Sequence, residues 1–134
     1  MPVLRVTGVL DDGSLQGSKA PVNPRIEMRV IQGSSTTIEM QVLTPAGKPV
    51  DLTSSTVTLT VKKKTGHAAA VLSVTGTLAQ DKGLGRVDFS IAPSATKNVA
   101  PGRYLYDVWH VAGSTREPVV PTSPFALEPA VLLP

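Results

Sequence analysis

Apolar and polar residues alternate along most of this chain. Thr36, Ile38, Met40 and Val42 interleave with Thr37, Glu39 and Gln41. A period of two sends successive side chains to opposite faces, so the segment reads as a half-buried strand. The same rhythm sets Ile26, Met28 and Val30 against Glu27 and Arg29, and Val87, Phe89 and Ile91 against Arg86, Asp88 and Ser90. It is clearest over 56–62, where Val57, Leu59 and Val61 point inward and threonines outward. Residues 68–76 fit a strand or a short helix; their length, with Val71, Val74 and Thr75, favours the strand. Residues 44–49, 65–66 and 81–83 and the pair Pro101-Gly102 read as turns. Residues 92–98 predict one helical turn with Pro93 early in it. The segment 112–115 closes a hairpin onto Arg116–Val120. Pro121 and Pro124 then interrupt the chain before a last short strand at Phe125 and Leu127.

About seven strands separated by turns, with no amphipathic helix, predict an all-β fold: an immunoglobulin-like antiparallel β-sandwich over residues 26–128. A β-barrel is the architectural alternative. Tyr104 follows a turn and lies two residues before Tyr106 on the same face. It fits a tyrosine corner whose hydroxyl bonds back to the backbone near 98–100, or else a plain core tyrosine. In residues 50–53, Val50 and Leu52 alternate around Asp51. They can plug one end of the sandwich while Asp51 or Thr53 fixes the turn through local backbone amides. Residues 1–25 read as an extended N-terminal arm and 129–134 as a C-terminal tail. The arm's apolar residues Val3, Leu4, Val6, Val9, Leu10 and Leu15 are broken up by Gly and Pro, so they suit a surface to lie on better than a core.

One stretch breaks the alternation. In 101–111 (PGRYLYDVWHV), Tyr104, Tyr106 and Val108 take one face, and Leu105, Asp107, Trp109 and Val111 take the other. A strand in a small domain needs one apolar face, so the second calls for a cover. Two covers compete: another subunit, or the chain's own residues 1–25 or 121–134. The interface candidates are therefore Leu105, Asp107, Trp109 and Val111 on the strand, and Val3, Leu4, Val9 and Leu10 on the arm. Asp107 requires a partner, sought on a neighbouring strand or another chain because Arg103 is assigned to the opposite face.

Composition narrows the classes. The chain has 134 residues, enough for one domain, and is 41% hydrophobic but only 4% aromatic, so each aromatic matters to packing. It has no cysteine, which removes disulfides and thiolate chemistry and leans towards an intracellular origin. No apolar run approaches the ~20 residues that span a membrane, and the N-terminus lacks the layout of a signal peptide. The net charge is +3. Its only basic run, Lys62–Lys64, has no aromatic beside it, so nucleic acid is not an expected partner; a solvated strand end that discourages edge pairing is the simpler reading.

Nothing in the pattern points to catalysis. His67 and His110 are the only histidines, and neither shows ligand or triad spacing. Residues 83–85 (GLG) precede no helix, and residues 11–14 (DDGS) are too short for a calcium loop. The expectation is a protein that is not an enzyme, with no catalytic, metal or cofactor site.

Residues 33–63 resemble the N-terminal immunoglobulin-like domains of phage baseplate upper proteins and related virion proteins. The carriers are Gly33, Gly47, Pro49, the run Val50-Asp51-Leu52-Thr53 and the strand Val57–Val61, with residues 101–108 (PGRYLYDV) matching a later strand. The resemblance covers roughly 26–111. Ser54-Ser55 departs from it where a Gly often follows, and no receptor-binding or coiled-coil region follows the sandwich. It implies a structural protein of a tailed-phage virion, made in the host cytoplasm. Such a protein would bind a major capsid protein as a decoration, or a tail, baseplate or fibre protein as an adaptor, with homo-oligomerisation open. A carbohydrate-binding module is the competing function, with Trp109 as its platform.

Overall fold

The computed structural model describes residues 3–9, 27–44, 46–63 and 69–130, the first of these as backbone only, and within them the residues placed inward by the alternation are buried, while Ile26 lies outside the described residues. Ile38, Met40 and Val42, then Val57, Leu59 and Val61, then Val87, Phe89 and Ile91 form one core with Tyr106, Val108, Phe125 and Leu127. The described residues form nine strands: β1 (Val3–Val9), β2 (Met28–Ile31), β3 (Thr36–Leu43), β4 (Ser55–Lys62), β5 (Ala70–Thr75), β6 (Thr77–Leu78), β7 (Arg86–Ile91), β8 (Gly102–Ala112) and β9 (Thr115–Glu128). A single helical turn, α1 (Pro93–Thr96), begins at the expected proline.

The strands form two sheets, ordered β1-β3-β7-β6 and β2-β9-β8-β4-β5, packed as a β-sandwich. The pairing is not wholly antiparallel. β1 runs parallel to β3, and β2 parallel to β9. Val3–Val9 is thus a strand of the four-stranded sheet and not an arm lying outside it. Its backbone pairs along β3, which supplies partners that a local reading of residues 1–25 cannot see. Leu10 and the rest of that segment lie outside the described residues.

The prolines do not split the last strand, which runs unbroken for 14 residues. Its pairing with β8 slips twice: Pro118 faces Trp109, Val120 faces Val108 and Ser123 faces Tyr106. Two bulges absorb the extra residues. Since β2 pairs only with Phe125–Glu128, the stretch with Pro118, Pro121 and Pro124 borders an edge among the described residues, where a missing N–H is tolerated.

Local chemistry pins the ends. The Tyr104 hydroxyl donates to the Ala100 carbonyl, which is the tyrosine corner. Val50 and Leu52 are buried as the plug. Between them, the Asp51 carboxylate accepts the Thr53 N–H at 2.9 Å and the Thr53 hydroxyl at 2.6 Å, and these bonds hold Asp51 below the usual carboxylate pKa. Gly85, at φ +66°, lies against the β3 backbone, and its carbonyl accepts the Val42 N–H. Lys62 lies on β4, between β8 and β5, so it does not guard a sheet edge.

Candidate interaction face

β8 lies at the centre of the five-stranded sheet, and its two rows of side chains have separate fates. Tyr104, Tyr106, Val108 and His110 are buried in the sandwich, while Leu105, Asp107, Trp109 and Val111 are half-buried on the outer face. Register sets their neighbours. On β4, Thr56 stands beside Val111, Thr58 beside Trp109, Thr60 beside Asp107 and Lys62 beside Leu105. On β9, Arg116 stands beside Val111 and Pro118 beside Trp109. The β9 bulge at Pro121 and Thr122 falls opposite Asp107.

The result is an open groove of about 440 Å³, walled by Trp109, Val111 and Arg116 at one end and Leu105 and Lys62 at the other, with Thr58, Thr60, Thr122 and Asp107 between. The Arg116 guanidinium lies 3.8 Å from the centre of the Trp109 ring, a cation–π contact that covers one ring face. Among the described residues the Asp107 carboxylate forms no hydrogen bond or ion pair. Arg103, assigned by the sequence reading to the opposite face, shares the outer face with Asp107: it pairs with Ala126 and is exposed, one step beyond Leu105.

The structure brings four of the eight candidates together: Leu105, Asp107, Trp109 and Val111. Val3, Leu4 and Val9 lie on β1, in the other sheet, and Leu10 lies outside the described residues. Arg116 and the threonines of β4 were missed as site residues. Their signal was present: residues 56, 58 and 60 are the polar half of the clearest alternation, and a hairpin closed at 112–115 returns Arg116 beside the end of β8.

A second polar group closes the end of the core. His110 is buried, and its Nε2 lies 3.0 Å from Ser55 Oγ. Across the hairpin it pairs in register with Glu117. The His110 Nδ1 and Glu117 Oε2 atoms are both buried without a hydrogen-bond partner. No group of three or more metal-ligating side chains occurs among the described residues, and no helix among them is long and apolar enough to cross a membrane. His67 lies outside the described residues.

No protein-family model and no curated protein matches the chain. Among solved structures its backbone is similar to "N-terminal domain of phage TP901-1 ORF48", at 13% identity and a TM-score of 0.49, over 96% of this chain and 99% of that one. It is also similar to a laccase from Botrytis aclada, at 11% identity and a TM-score of 0.36, over 92% of this chain and 22% of the laccase.

Proposed function

We propose that this chain is a non-enzymatic structural protein of a tailed-phage virion, an immunoglobulin-like module that docks a neighbouring virion protein through the outer face of its five-stranded sheet. The observation that carries the reading is the groove beside β8. It presents a half-buried Trp stacked under an Arg, two aliphatic side chains and a carboxylate with no partner among the described residues, all on one sheet face. Trp and Arg are the residues that most often anchor protein interfaces. The likeness of residues 33–63 and 101–108 to virion sandwich domains supports the particle assignment and favours a tail or baseplate adaptor over a capsid decoration. The strand order β3-β7-β6 facing β9-β8-β4-β5, with the tyrosine corner, supports the immunoglobulin-like reading. The carbohydrate alternative needs an open aromatic platform, and Arg116 occupies one face of the only tryptophan.

The test is Trp109→Ala in the phage that encodes the chain, with incorporation measured by quantitative mass spectrometry of purified particles beside thermal melts of the isolated protein. Docking should weaken by about 2 kcal/mol or more, as for a buried aromatic anchor, with the melting temperature nearly unchanged. A variant that enters particles like wild type refutes the reading. So does one that loses several kcal/mol of folding stability while docking normally.

A further inference from the structure

The five-stranded sheet treats its two edges differently. On the β2 side, the edge strand has four residues, and Arg29 is tied to Glu27 and Glu128 at 3.4 Å each. The part of β9 that extends past β2 carries Pro118, Pro121 and Pro124. Short strands, charges and prolines are the devices that stop sheets from adding strands. On the other side, β5 reads Ala-Val-Leu-Ser-Val-Thr, with neither charge nor proline. Among the described residues it pairs only with β4, so a row of its N–H and C=O groups faces outward unpaired. Leu72 and Val74 point towards the core, yet are only half-buried because the sheet stops there, and Val71 is 37% exposed.

We propose that β5 pairs antiparallel with β5 of a second copy of this chain about a two-fold axis through Ser73, so that the five-stranded sheets of two subunits run on as one. Opposed residues of an antiparallel pair share a face, so the side-chain pattern restricts the register. With the axis at Ser73, Leu72 of one copy meets Val74 of the other on the core side, and both half-buried residues gain a cover. Outside, Val71 meets Thr75, and Ser73 meets itself. A slip of one residue sets Leu72 against an outward-facing position instead. The strand is uncharged, so it brings no like charges together when paired with itself. An unpaired strand edge is satisfied best by another strand, and this edge is complementary to its own copy. The inference is independent of the virion role.

The full chain contains no cysteine, which makes cross-linking specific. Wild type should sediment at twice the 14.0 kDa chain mass. Ser73→Cys should form a covalent dimer on oxidation, because directly opposed residues fall within disulfide reach. Val71→Cys alone should not, whereas Val71→Cys mixed with Thr75→Cys should. Ser73→Lys should weaken the dimer about tenfold or more, equivalent to about 1.4 kcal/mol, without lowering the melting temperature, since the side chain is exposed. An equimolar mixture with Ser73→Glu should restore it. A wild type that remains monomeric at high concentration overturns the proposal. So does cross-linking that is equal at 71 and 73, or a dimer indifferent to Ser73→Lys.

Discussion

Replacing Tyr106 tests the assignment of the two faces of β8, on which the functional reading depends. The side chain is 2% exposed, and its ring meets Phe125 edge-on, with centroids 6.2 Å apart and planes at 68°. Large-to-alanine changes at such aromatic sites cost about 3–5 kcal/mol. The edge-on pair accounts for roughly 0.5–1.5 kcal/mol of that. Tyr106→Ala should therefore lose about 4 kcal/mol, a large share of the ~5–15 kcal/mol that holds a domain together. Tyr106→Phe keeps the ring and removes only the hydroxyl, which is hydrogen-bonded with Ser123. That change should cost about 1 kcal/mol. Urea unfolding of the three proteins, with a common slope against denaturant, gives both numbers.

Burial also pushes the Tyr106 hydroxyl well above its ordinary pKa of 10.0. The folded state favours the neutral phenol, so this contribution is intact below the unfolded value and is lost as pH rises through the folded one. Wild-type stability should fall above about pH 10, and Tyr106→Phe should flatten part of that limb. A loss under about 1 kcal/mol for Tyr106→Ala is too small for a core aromatic. It would mean that the faces of β8 are reversed, and the groove residues would then be the core.

Gly85→Ala should cost about 2 kcal/mol or more, because a Cβ there would lie 2.5 Å from the Val42 carbonyl at a φ of +66°; a thermal melt matching wild type would refute the close approach. Removing residues 1–9 should lower the melting temperature, since it strips from β3 a strand paired along Thr37–Leu43. An unchanged melt would restore the reading of this segment as a dispensable arm.

The core was legible in the sequence because burial on one face and a period of two are the same fact. The strand over 56–62 and the faces of β8 follow from local alternation. So do the plug at Val50 and Leu52 and the tyrosine corner, each a signal contained within a few residues. What the sequence hid was long-range. Nothing local in Val3–Val9 reveals a parallel partner more than thirty residues away at Thr37. Pro121 and Pro124 signal a break, yet they lie on a part of β9 that pairs on one side only among the described residues, where a missing N–H is tolerated. For the site, the β8 row was legible, but the cover on Trp109 was not, because Arg116 reaches it only through the pairing of β8 with β9.

The outer face has lost two of its possible covers. Residues 121–128 cannot fold over it, because they are part of β9 within the same sheet. Val3–Val9 cannot, because β1 belongs to the opposite sheet. A partner that closes the groove must then deal with Asp107. Burying a carboxylate without a counter-charge costs several kcal/mol, more than a single aromatic anchor returns. The partner surface should therefore bring a Lys or Arg to the middle of the groove, between Thr60 and Thr122. Asp107→Lys should then weaken docking more than Trp109→Ala does, and a charge reversal on the partner should recover it. Asp107→Asn should lose less, since the amide keeps the shape and one acceptor. Because the carboxylate is half-buried and makes no bond among the described residues, all three proteins should melt alike. Equal docking by Asp107→Lys and wild type would show that the groove stays hydrated in the particle and that the contact lies elsewhere on the sheet.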